Sequence, residues 1–285
     1  MRKLLSKNIG YPIQDFIKKT DIIKTLSFLK RSQYWPQDRI NEYQLKKLRK
    51  IVHYAKYNVP YYEKLFQKIK LNSSDIKNIE DLNKIPILTK EIVRKENHNL
   101  VARNFSMKYV RKGKSGGTTG APIFVYKDTQ DRSFTWASYF RWYEWMDINY
   151  YDKSTTLWGA KTVLTNSIIS KSFNLFINYL QNDMYINSFN INESIYPSIY
   201  KKISNYNPII LKGYVSALVN FARYIEKNNL EDIIPKVLST TSESLSLINR
   251  KYLENIFNSK IYDQYGCGEI SGISYECKEH IGTHI

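Results

Sequence analysis

Three short apolar runs decide the fold: Ile209-Ile210-Leu211-Lys212, Lys236-Val237-Leu238-Ser239-Thr240 and Lys260-Ile261-Tyr262-Asp263-Gln264. Each run has the length and the β-branched or aromatic content of a buried strand. Two amphipathic stretches with helical spacing lie between them, at residues 216–226 and 244–257. This alternation of strands and helices with short links predicts parallel βαβ units, so we assign the chain to the α/β class.

The residues best suited to bind a ligand follow the second and the third of these strands. They are Thr240-Thr241-Ser242-Glu243 and Tyr265-Gly266-Cys267-Gly268-Glu269. Ligands of open α/β sheets bind beyond the carboxyl ends of the strands. Tyr265 could stack on a base, Gly266 would let a ligand approach the backbone, and Glu269 could hold a magnesium ion together with phosphate oxygens.

A loop rich in glycine and threonine lies earlier in the chain, at Lys114-Ser115-Gly116-Gly117-Thr118-Thr119-Gly120-Ala121-Pro122. Successive backbone N–H groups in such a loop form a concavity that attracts anions, and threonine hydroxyls add donors. The spacing is not that of a Walker A loop. A predicted strand, Ile123-Phe124-Val125-Tyr126, follows it, so a helix dipole is not expected to assist. Taken alone, the loop fits either a phosphate site or an ordinary surface loop.

The first hundred residues are expected to be helical, with one helix ending at Pro60, because proline disfavours α geometry in the residue before it. Thr89 is expected to cap a later helix. We divide the chain into a helical region, residues 1–100, and an α/β nucleotide-binding region, residues 101–285. Aromatic residues recur between 130 and 147 in a pattern that predicts a core-packed helix, and Thr156-Leu157-Trp158-Gly159 predicts additional β-structure.

The chain is basic, with 43 Lys and Arg against 26 Asp and Glu among 285 residues, a net charge of +17. This charge favours anionic partners such as nucleotides or a membrane surface, but an AT-biased genome would also produce many solvated lysines. Nucleic-acid binding would rest on charge alone, and no specific nucleic-acid partner is expected. Two cysteines and no apolar run of about 18 residues indicate a reducing, cytoplasmic location with peripheral membrane contact as a further option.

Two of these motifs together resemble those of the adenylate-forming enzymes, the acyl-CoA synthetases and their relatives. The glycine loop resembles their phosphate loop, in which Ser-Ser-Gly-Thr-Thr-Gly-Lys-Pro is typical, and Tyr265-Gly266-Cys267-Gly268-Glu269 is similar to their Tyr-Gly-x-x-Glu motif. Further stretches are similar to the phenylacetate–CoA ligase branch, which includes the CapK proteins of capsular polysaccharide loci. They include Asn58-Val59-Pro60-Tyr61-Tyr62, Ile85-Pro86-Ile87-Leu88-Thr89-Lys90 and Lys212-Gly213-Tyr214.

The resemblance implies the large N-terminal domain of an adenylate-forming enzyme and a role for each matching residue. Ser115, Gly116, Gly117, Thr118, Thr119 and Gly120 would cradle the phosphates of ATP. Ser242 and Glu243 would line the nucleotide pocket, Tyr265 and Gly266 would contact the adenine of ATP or AMP, and Glu269 would bind magnesium. The acid would lie nearer Gly213, Tyr214 and the aromatic helix. The family joins a carboxylic acid to AMP with loss of pyrophosphate and often passes the acyl group to CoA.

Two departures from the family pattern limit these expectations. Gly116 stands where a hydroxyl residue is usual, and Ala121 stands where lysine is common. Family members also continue through a ribose-binding Asp and a small C-terminal lid domain with a catalytic Lys. We therefore expect a truncated chain with impaired adenylation, whose lid is absent or comes from a second chain; a homodimer is a further option. The alternative is a non-catalytic nucleotide-binding or assembly module, and the sequence assigns no catalytic residue.

Cysteine and histidine residues cluster near residue 285 and offer a possible zinc site. Zinc accepts both residue types in a tetrahedral arrangement, although the spacing here matches no standard zinc finger. The candidate ligands are Cys267, Cys277, His280 and His284. The alternative is a reduced cysteine beside surface histidines.

Overall fold

The computed structural model describes residues 2–106, 108, 110–114, 123–159, 175–188 and 193–285. The contacts divide the chain into two compact units. One unit joins Met1–Leu26 to Ser133–Ile285, and the other is Ser27–Arg132. These bounds differ from the division into residues 1–100 and 101–285, which stays a prediction.

Ten α-helices with named bounds lie in the described residues. They are α1 (Arg2–Leu5), α2 (Tyr11–Lys18), α3 (Ile22–Ser32), α4 (Gln37–Asn58), α5 (Pro60–Lys68), α6 (Lys90–Lys95), α7 (Thr129–Trp145), α8 (Tyr196–Tyr206), α9 (Val215–Lys227) and α10 (Leu247–Phe257). A π-helical turn, Ser6–Gly10, joins α1 to α2. Short 3-10 turns occupy Ser73–Asp75, Ile79–Lys84, Asn97–Leu100 and Glu193–Ile195.

The strands form two sheets. They are β1 (Arg111–Lys114), β2 (Phe124–Lys127), β3 (Ser154–Trp158), β4 (Asp183–Asn187), β5 (Ile210–Tyr214), β6 (Val237–Thr241), β7 (Lys260–Tyr265), β8 (Ser274–Glu276) and β9 (Thr283–His284). β1 and β2 pair antiparallel. The other seven form one sheet in the order β4-β3-β5-β6-β7-β8-β9, parallel from β4 to β7 and antiparallel beyond.

The predicted βαβ units are confirmed. The main hydrophobic core lies between one face of the large sheet and the helices that connect its strands. Leu211, Leu238 and Ile261 lie side by side on three neighbouring strands and are fully buried. Phe221 of α9 and Phe257 of α10 pack into the same cluster. Burying a large apolar side chain stabilises a fold by about 1.5–3 kcal/mol. The short apolar runs are strands because this layer of helices covers them.

The other face of the sheet is more polar and lies under the aromatic helix α7. Lys212 alternates with the buried Leu211 and therefore points to this face, where its Nζ lies 3.4 Å from the hydroxyl of Tyr143. Trp142 is buried and donates from Nε1 to the carbonyl oxygen of Glu276, at 2.7 Å. The prediction that this aromatic stretch is a core-packed helix is confirmed.

The antiparallel end of the sheet is fixed by an ion pair. Nη2 of Arg250, on α10, lies 2.9 Å from both carboxylate oxygens of Glu276, whose side chain is buried. The backbone N–H of Asp263 donates to the same carboxylate, at 2.9 Å. Because the carboxylate of Glu276 is paired, β8 can be buried beside β7 without an orphaned charge.

The second unit is built on α4 and α5. Val52 and Phe66 are buried in its small core with Leu71 and Ile76. Val59 is extended, so α4 ends before Pro60, as predicted. The hydroxyl of Thr89 accepts from the backbone N–H of Ile92, at 3.4 Å, which confirms the predicted cap of α6. Among the residues that the structure describes, no helix is long and apolar enough to cross a bilayer.

Candidate functional site

The direction in which the chain adds strands to the large sheet reverses between β3 and β5. From β3 the chain moves outward to β4, whereas from β5 it moves the opposite way to β6 and β7. At such a point the two connections leave a crevice outside the carboxyl ends of the adjacent strands, and this is where ligands of α/β sheets bind. Trp158 ends β3 and Tyr214 ends β5.

A cavity of about 320 Å³ lies at this point. The carboxyl ends of four strands contribute to it: Gly159 follows β3, Ser188 follows β4, Tyr214 ends β5 and Glu243 lies beyond β6. Ser216 and Asn220, from the beginning of α9, also line the cavity. The volume falls at the lower end of the range of small-molecule sites, about 300–1,000 Å³.

Tyr214 forms one wall of the cavity and stacks obliquely on Trp158, with ring centroids 4.5 Å apart. A Cβ on Gly159 would lie 3.1 Å from Cε2 of Tyr214, so the glycine makes room for the ring. Burial raises the pKa of Tyr214, and the charge of Glu243 raises it further. Its hydroxyl is therefore protonated at neutral pH and available to donate.

Glu243 closes the cavity on the β6 side. Its carboxylate accepts from the backbone N–H of Ser216, at 2.6 Å, and from the hydroxyl of the same residue, at 2.8 Å. These bonds satisfy donors at the beginning of α9, where the helix dipole favours a negative charge. Ser242, just before it, has a φ of 67°, a left-handed conformation that favours glycine.

Ser188 brings a buried hydroxyl group without a hydrogen-bond partner among the described residues to the cavity. Its backbone N–H donates to the carbonyl oxygen of Trp158, at 3.0 Å, which fixes the residue beside β3. Its hydroxyl oxygen is buried and has no hydrogen-bond partner in the described part of the chain. A buried hydroxyl without a partner is costly, and a polar ligand group would satisfy it.

The loop after β7 holds the remaining predicted nucleotide contacts. Tyr265 is 62% exposed at the end of the strand, and Glu269 is exposed. A Cβ on Gly266 would lie 2.7 Å from the backbone nitrogen of Gly272. Gly266 is thus required for close packing within the loop, whereas the sequence suggested close approach by a ligand. The N–H of Ile273 donates to the carbonyl oxygen of Tyr265, at 2.8 Å, and closes the loop.

The structure brings only part of the predicted site together. Glu243 lines the cavity, and Ser242 lies next to it on the exposed side. Tyr265, Gly266 and Glu269 lie at the same edge of the sheet but outside the cavity lining. The predicted phosphate-loop residues Ser115, Gly116, Gly117, Thr118, Thr119 and Gly120 lie outside the described residues. Their roles stay predictions.

Sequence reasoning missed Gly159, Ser188, Ser216 and Asn220 as site residues. Gly159 could have been found, because it ends a predicted strand and the rule for carboxyl ends applies to it. Ser188 follows β4, which was not predicted. Ser216 and Asn220 could not have been separated from the other polar residues of α9 without the strand order.

Lys212 lies two residues before Tyr214, on the face beneath α7. Its Nζ lies 3.6 Å from Oδ1 of Asp183 and 3.2 Å from the hydroxyl of Ser154, which also contacts Asp183. Burial lowers the pKa of Lys212, but the attraction of Asp183 and Tyr143 outweighs it and the pKa rises above its ordinary value. The lysine therefore stays charged and ties β5 to the edge strand β4.

The four candidate zinc ligands do not form one group among the described residues. Within the described part of the chain, no three or more His, Cys, Asp or Glu side chains come together in a group that could hold a metal. The sulfur of Cys267 accepts from the backbone N–H of Ile270, at 3.3 Å, while the ring of His284 packs against Trp145. Cys277 and His280 do not join them in such a group. The expectation of zinc gains no support and stays a prediction.

Two curated proteins are similar to this chain, although no family model matches it. Protein CapK of Staphylococcus aureus is 26% identical over 243 residues, which are 84% of this chain and 52% of that protein. Phenylacetate-coenzyme A ligase of Aromatoleum evansii is 34% identical over 105 residues, which are 36% of this chain and 23% of the ligase. The chain thus spans about half of CapK and about a quarter of the ligase.

The fold has solved counterparts. A crystal structure of 2-hydroxyisobutyryl-CoA ligase in an open conformation, in complex with 2-HIB-AMP and CoA, superposes with a TM-score of 0.70 at 15% identity. The match covers 87% of this chain and 59% of the ligase. At this identity the comparison supports the fold alone, and it agrees with the α/β class assigned to the described residues.

Proposed function

We propose that the chain binds ATP and a small carboxylic acid at the carboxyl edge of its sheet. The premise is that it belongs to the adenylate-forming enzymes, in the group of phenylacetate–CoA ligase and CapK-like proteins. The reaction joins the two: a carboxylate oxygen attacks the α-phosphorus of ATP, the acyl-adenylate forms and pyrophosphate leaves. Transfer of the acyl group to CoA is the expected second step. The observation that carries the proposal is the cavity bounded by Tyr214 and Glu243.

The residues of the cavity fit one part of such a ligand. About 320 Å³ accommodates a small acyl group or a nucleobase, but not a whole acyl-adenylate. The hydroxyls of Tyr214 and Ser188 can donate to a polar ligand group, and the buried Ser188 hydroxyl has no partner among the described residues. The flat wall formed by Trp158 and Tyr214 suits a planar or apolar group.

The resemblance to the family assigns the phosphates of ATP to the glycine loop, residues 115–120. Ser115, Thr118 and Thr119 would donate hydroxyl hydrogen bonds, and Gly116, Gly117 and Gly120 would let backbone N–H groups approach. Magnesium, held through Glu269 and phosphate oxygens, would neutralise charge on the departing pyrophosphate. Magnesium commonly uses one or two carboxylates with phosphate oxygens, so a single exposed carboxylate, that of Glu269, fits this role.

Glu243 would act by positioning. Its carboxylate is held by two hydrogen bonds from Ser216, so it fixes the beginning of α9 against the end of β6 at the rim of the cavity. A rigid rim would hold the acid and the nucleotide in a fixed relative position, and such positioning is one source of rate enhancement.

The cellular setting we propose is the synthesis of a surface polysaccharide. It rests on the resemblance to CapK proteins. The second candidate function is a module that binds the nucleotide without catalysing adenylation. It is favoured by two residues of the predicted phosphate loop, Gly116 and Ala121, which stand where the family usually has a hydroxyl residue and a lysine.

Pyrophosphate release with ATP, Mg²⁺ and a panel of small carboxylic acids tests the activity. We expect release that depends on one class of acid and falls at least tenfold in Thr119→Ala and Glu269→Ala. Calorimetric titration with ATP supplies the matched binding measurement. ATP binding without release from any acid would favour the non-catalytic module, and no ATP binding in the presence of Mg²⁺ would contradict both candidates.

A further inference from the structure

The N-terminal helical segment has its apolar face outward. Residues 2–18 are helical through α1, the turn Ser6–Gly10 and α2. Four residues of this segment are buried, and three of the four are small or polar rather than large and apolar. These buried positions are Ser6, Gly10, Tyr11 and Gln14. A surface helix normally buries its apolar face, so this orientation needs an explanation.

The outward face carries a stripe of large apolar side chains that are 36–74% exposed. They are Leu4, Leu5, Ile9, Ile13, Phe16 and Ile17. Scattered exposed apolar residues are ordinary, whereas a continuous stripe marks a surface for interaction. We call these six residues the N-terminal stripe.

The orientation of the segment is fixed by its buried face. A Cβ on Gly10 would lie 2.6 Å from the carbonyl oxygen of Leu180, so any other residue would push the helix away. The hydroxyl of Tyr11 donates to the carbonyl oxygen of Tyr150, at 2.7 Å. The side chains of Gln14 and Gln181 are hydrogen-bonded in the interior. The segment cannot rotate its stripe inward without breaking these contacts.

The apolar surface continues beyond the segment. Leu175, Phe176 and Tyr179 of the helical residues 175–180 are more than half exposed. The guanidinium of Arg2 lies 4.3 Å from the ring centre of Tyr179, which brings the two elements together. The exposed apolar area therefore belongs to two adjacent helical segments of the same unit.

Positive charge surrounds the stripe. Residues 2–19 contain five basic side chains and one acidic side chain. The basic residues are Arg2, Lys3, Lys7, Lys18 and Lys19, and Nζ of Lys3 lies 2.6 Å from Oδ1 of Asp152. The acidic residue, Asp15, accepts from the hydroxyl of Thr20, at 2.6 Å, and from the backbone N–H of Ile22, at 3.1 Å. Its charge is thus turned toward the beginning of α3.

We propose that the N-terminal stripe docks the protein on an anionic lipid surface. A helix with large apolar side chains on one face and lysines at its borders lies in the interface of a bilayer, with the apolar face at the boundary of the headgroups. Lysine side chains extend along such a helix and place their charges among anionic headgroups. A second copy seated on the same face would bring the basic residues of both copies together, which opposes self-association.

Flotation of the whole protein with vesicles tests this surface. The probes are vesicles of phosphatidylcholine alone and vesicles with about a third of phosphatidylglycerol. We expect binding to the anionic vesicles only, and weaker binding as salt is raised. Ile9→Ser, Ile13→Ser and Phe16→Ser should each weaken the binding roughly tenfold, because each removes an apolar side chain that enters the interface.

Ile248→Ser is the matched control, since Ile248 is equally apolar, 80% exposed and outside the N-terminal stripe. It should bind as the wild type does, and thermal unfolding should be alike in all variants. The proposal is overturned by no binding to anionic vesicles, by equal binding to neutral vesicles, or by stripe variants that bind as the control does. Dimerisation that is lost in Phe16→Ser, without vesicle binding, would assign the surface to a second copy instead.

Discussion

The carboxylate of Glu243 accepts two hydrogen bonds from Ser216, one from its backbone N–H at 2.6 Å and one from its hydroxyl at 2.8 Å. The first residue lies beyond β6 and the second lies in the first turn of α9. The pair therefore joins two neighbouring βα connections at the rim of the cavity. Its effect on stability can be measured apart from any ligand.

Glu243→Ala is expected to lower the free energy of unfolding by about 1–2 kcal/mol, because α9 loses both a cap and a favourable charge at its positive end. Glu243→Gln keeps an acceptor and should cost less than about 1 kcal/mol. Urea unfolding followed by circular dichroism gives both values. Glu231→Gln, at an exposed site in the same unit, is the control and should change nothing. Equal losses in Glu243→Gln and Glu231→Gln would show that the charge is irrelevant.

Ser242→Gly is expected to stabilise the protein by up to about 1 kcal/mol, because glycine adopts the observed φ of 67° without steric strain. Ser239 is buried in the preceding strand β6 and has no such strain, so Ser239→Gly should destabilise the protein. Thermal unfolding of the two variants separates the effects. A loss of stability in Ser242→Gly would mean that its side chain contributes more than the strain costs.

Gly272→Ala and Gly282→Ala form a pair that separates steric overlap from backbone strain. Both glycines have positive φ, but a Cβ on Gly272 would lie 1.9 Å from the hydroxyl of Tyr275, whereas nothing lies within 4 Å of a Cβ on Gly282. We expect a loss of about 1 kcal/mol for Gly282→Ala and about 2–5 kcal/mol for Gly272→Ala. Adding Tyr275→Phe to Gly272→Ala should restore part of the difference. Equal losses in the two single variants would contradict the packing described for this loop.

Lys212 and Asp183 are expected to behave as a coupled pair. Their side chains are only 18% and 28% exposed, so removal of either partner leaves a partly buried charge. Lys212→Met and Asp183→Asn should each cost about 1–3 kcal/mol, and the double variant should cost less than their sum by about 0.5–2 kcal/mol. A double-mutant cycle in urea measures the coupling. Additive losses would mean that the contact contributes nothing by itself.

Much of the sheet could be predicted because local pattern and tertiary burial agree. Leu211, Leu238 and Ile261 lie in short apolar runs, and those runs are the buried strands. The edge strand β4 was missed because its sequence, Asp183-Met184-Tyr185-Ile186-Asn187, begins and ends with polar residues and is nowhere fully buried. The antiparallel strand β8 has only three residues and depends on the distant partners of Glu276. Such short elements carry no local signal.

In the candidate site, too, some residues could be predicted from local sequence, whereas others depend on contacts between distant parts of the chain. Glu243 could be predicted because it follows a strand, and ligands bind at the carboxyl ends. Its partner Ser216 could not, because the contact depends on β5 and β6 being neighbours. Ser188 likewise reaches the cavity only through the pairing of β3 with β4. Sequence pattern gives the elements, whereas strand order decides which of their ends meet.

Calorimetric titration with a non-hydrolysable acyl-adenylate analogue is the most direct test of the proposed site. The wild type should bind the analogue, and Gly159→Leu should lose at least about tenfold in affinity, because its side chain would fill the cavity beside Tyr214. Gly282→Ala is the control, and it should bind as the wild type does. No binding by the wild type, or equal binding by Gly159→Leu, would contradict a ligand site at the carboxyl edge of the sheet.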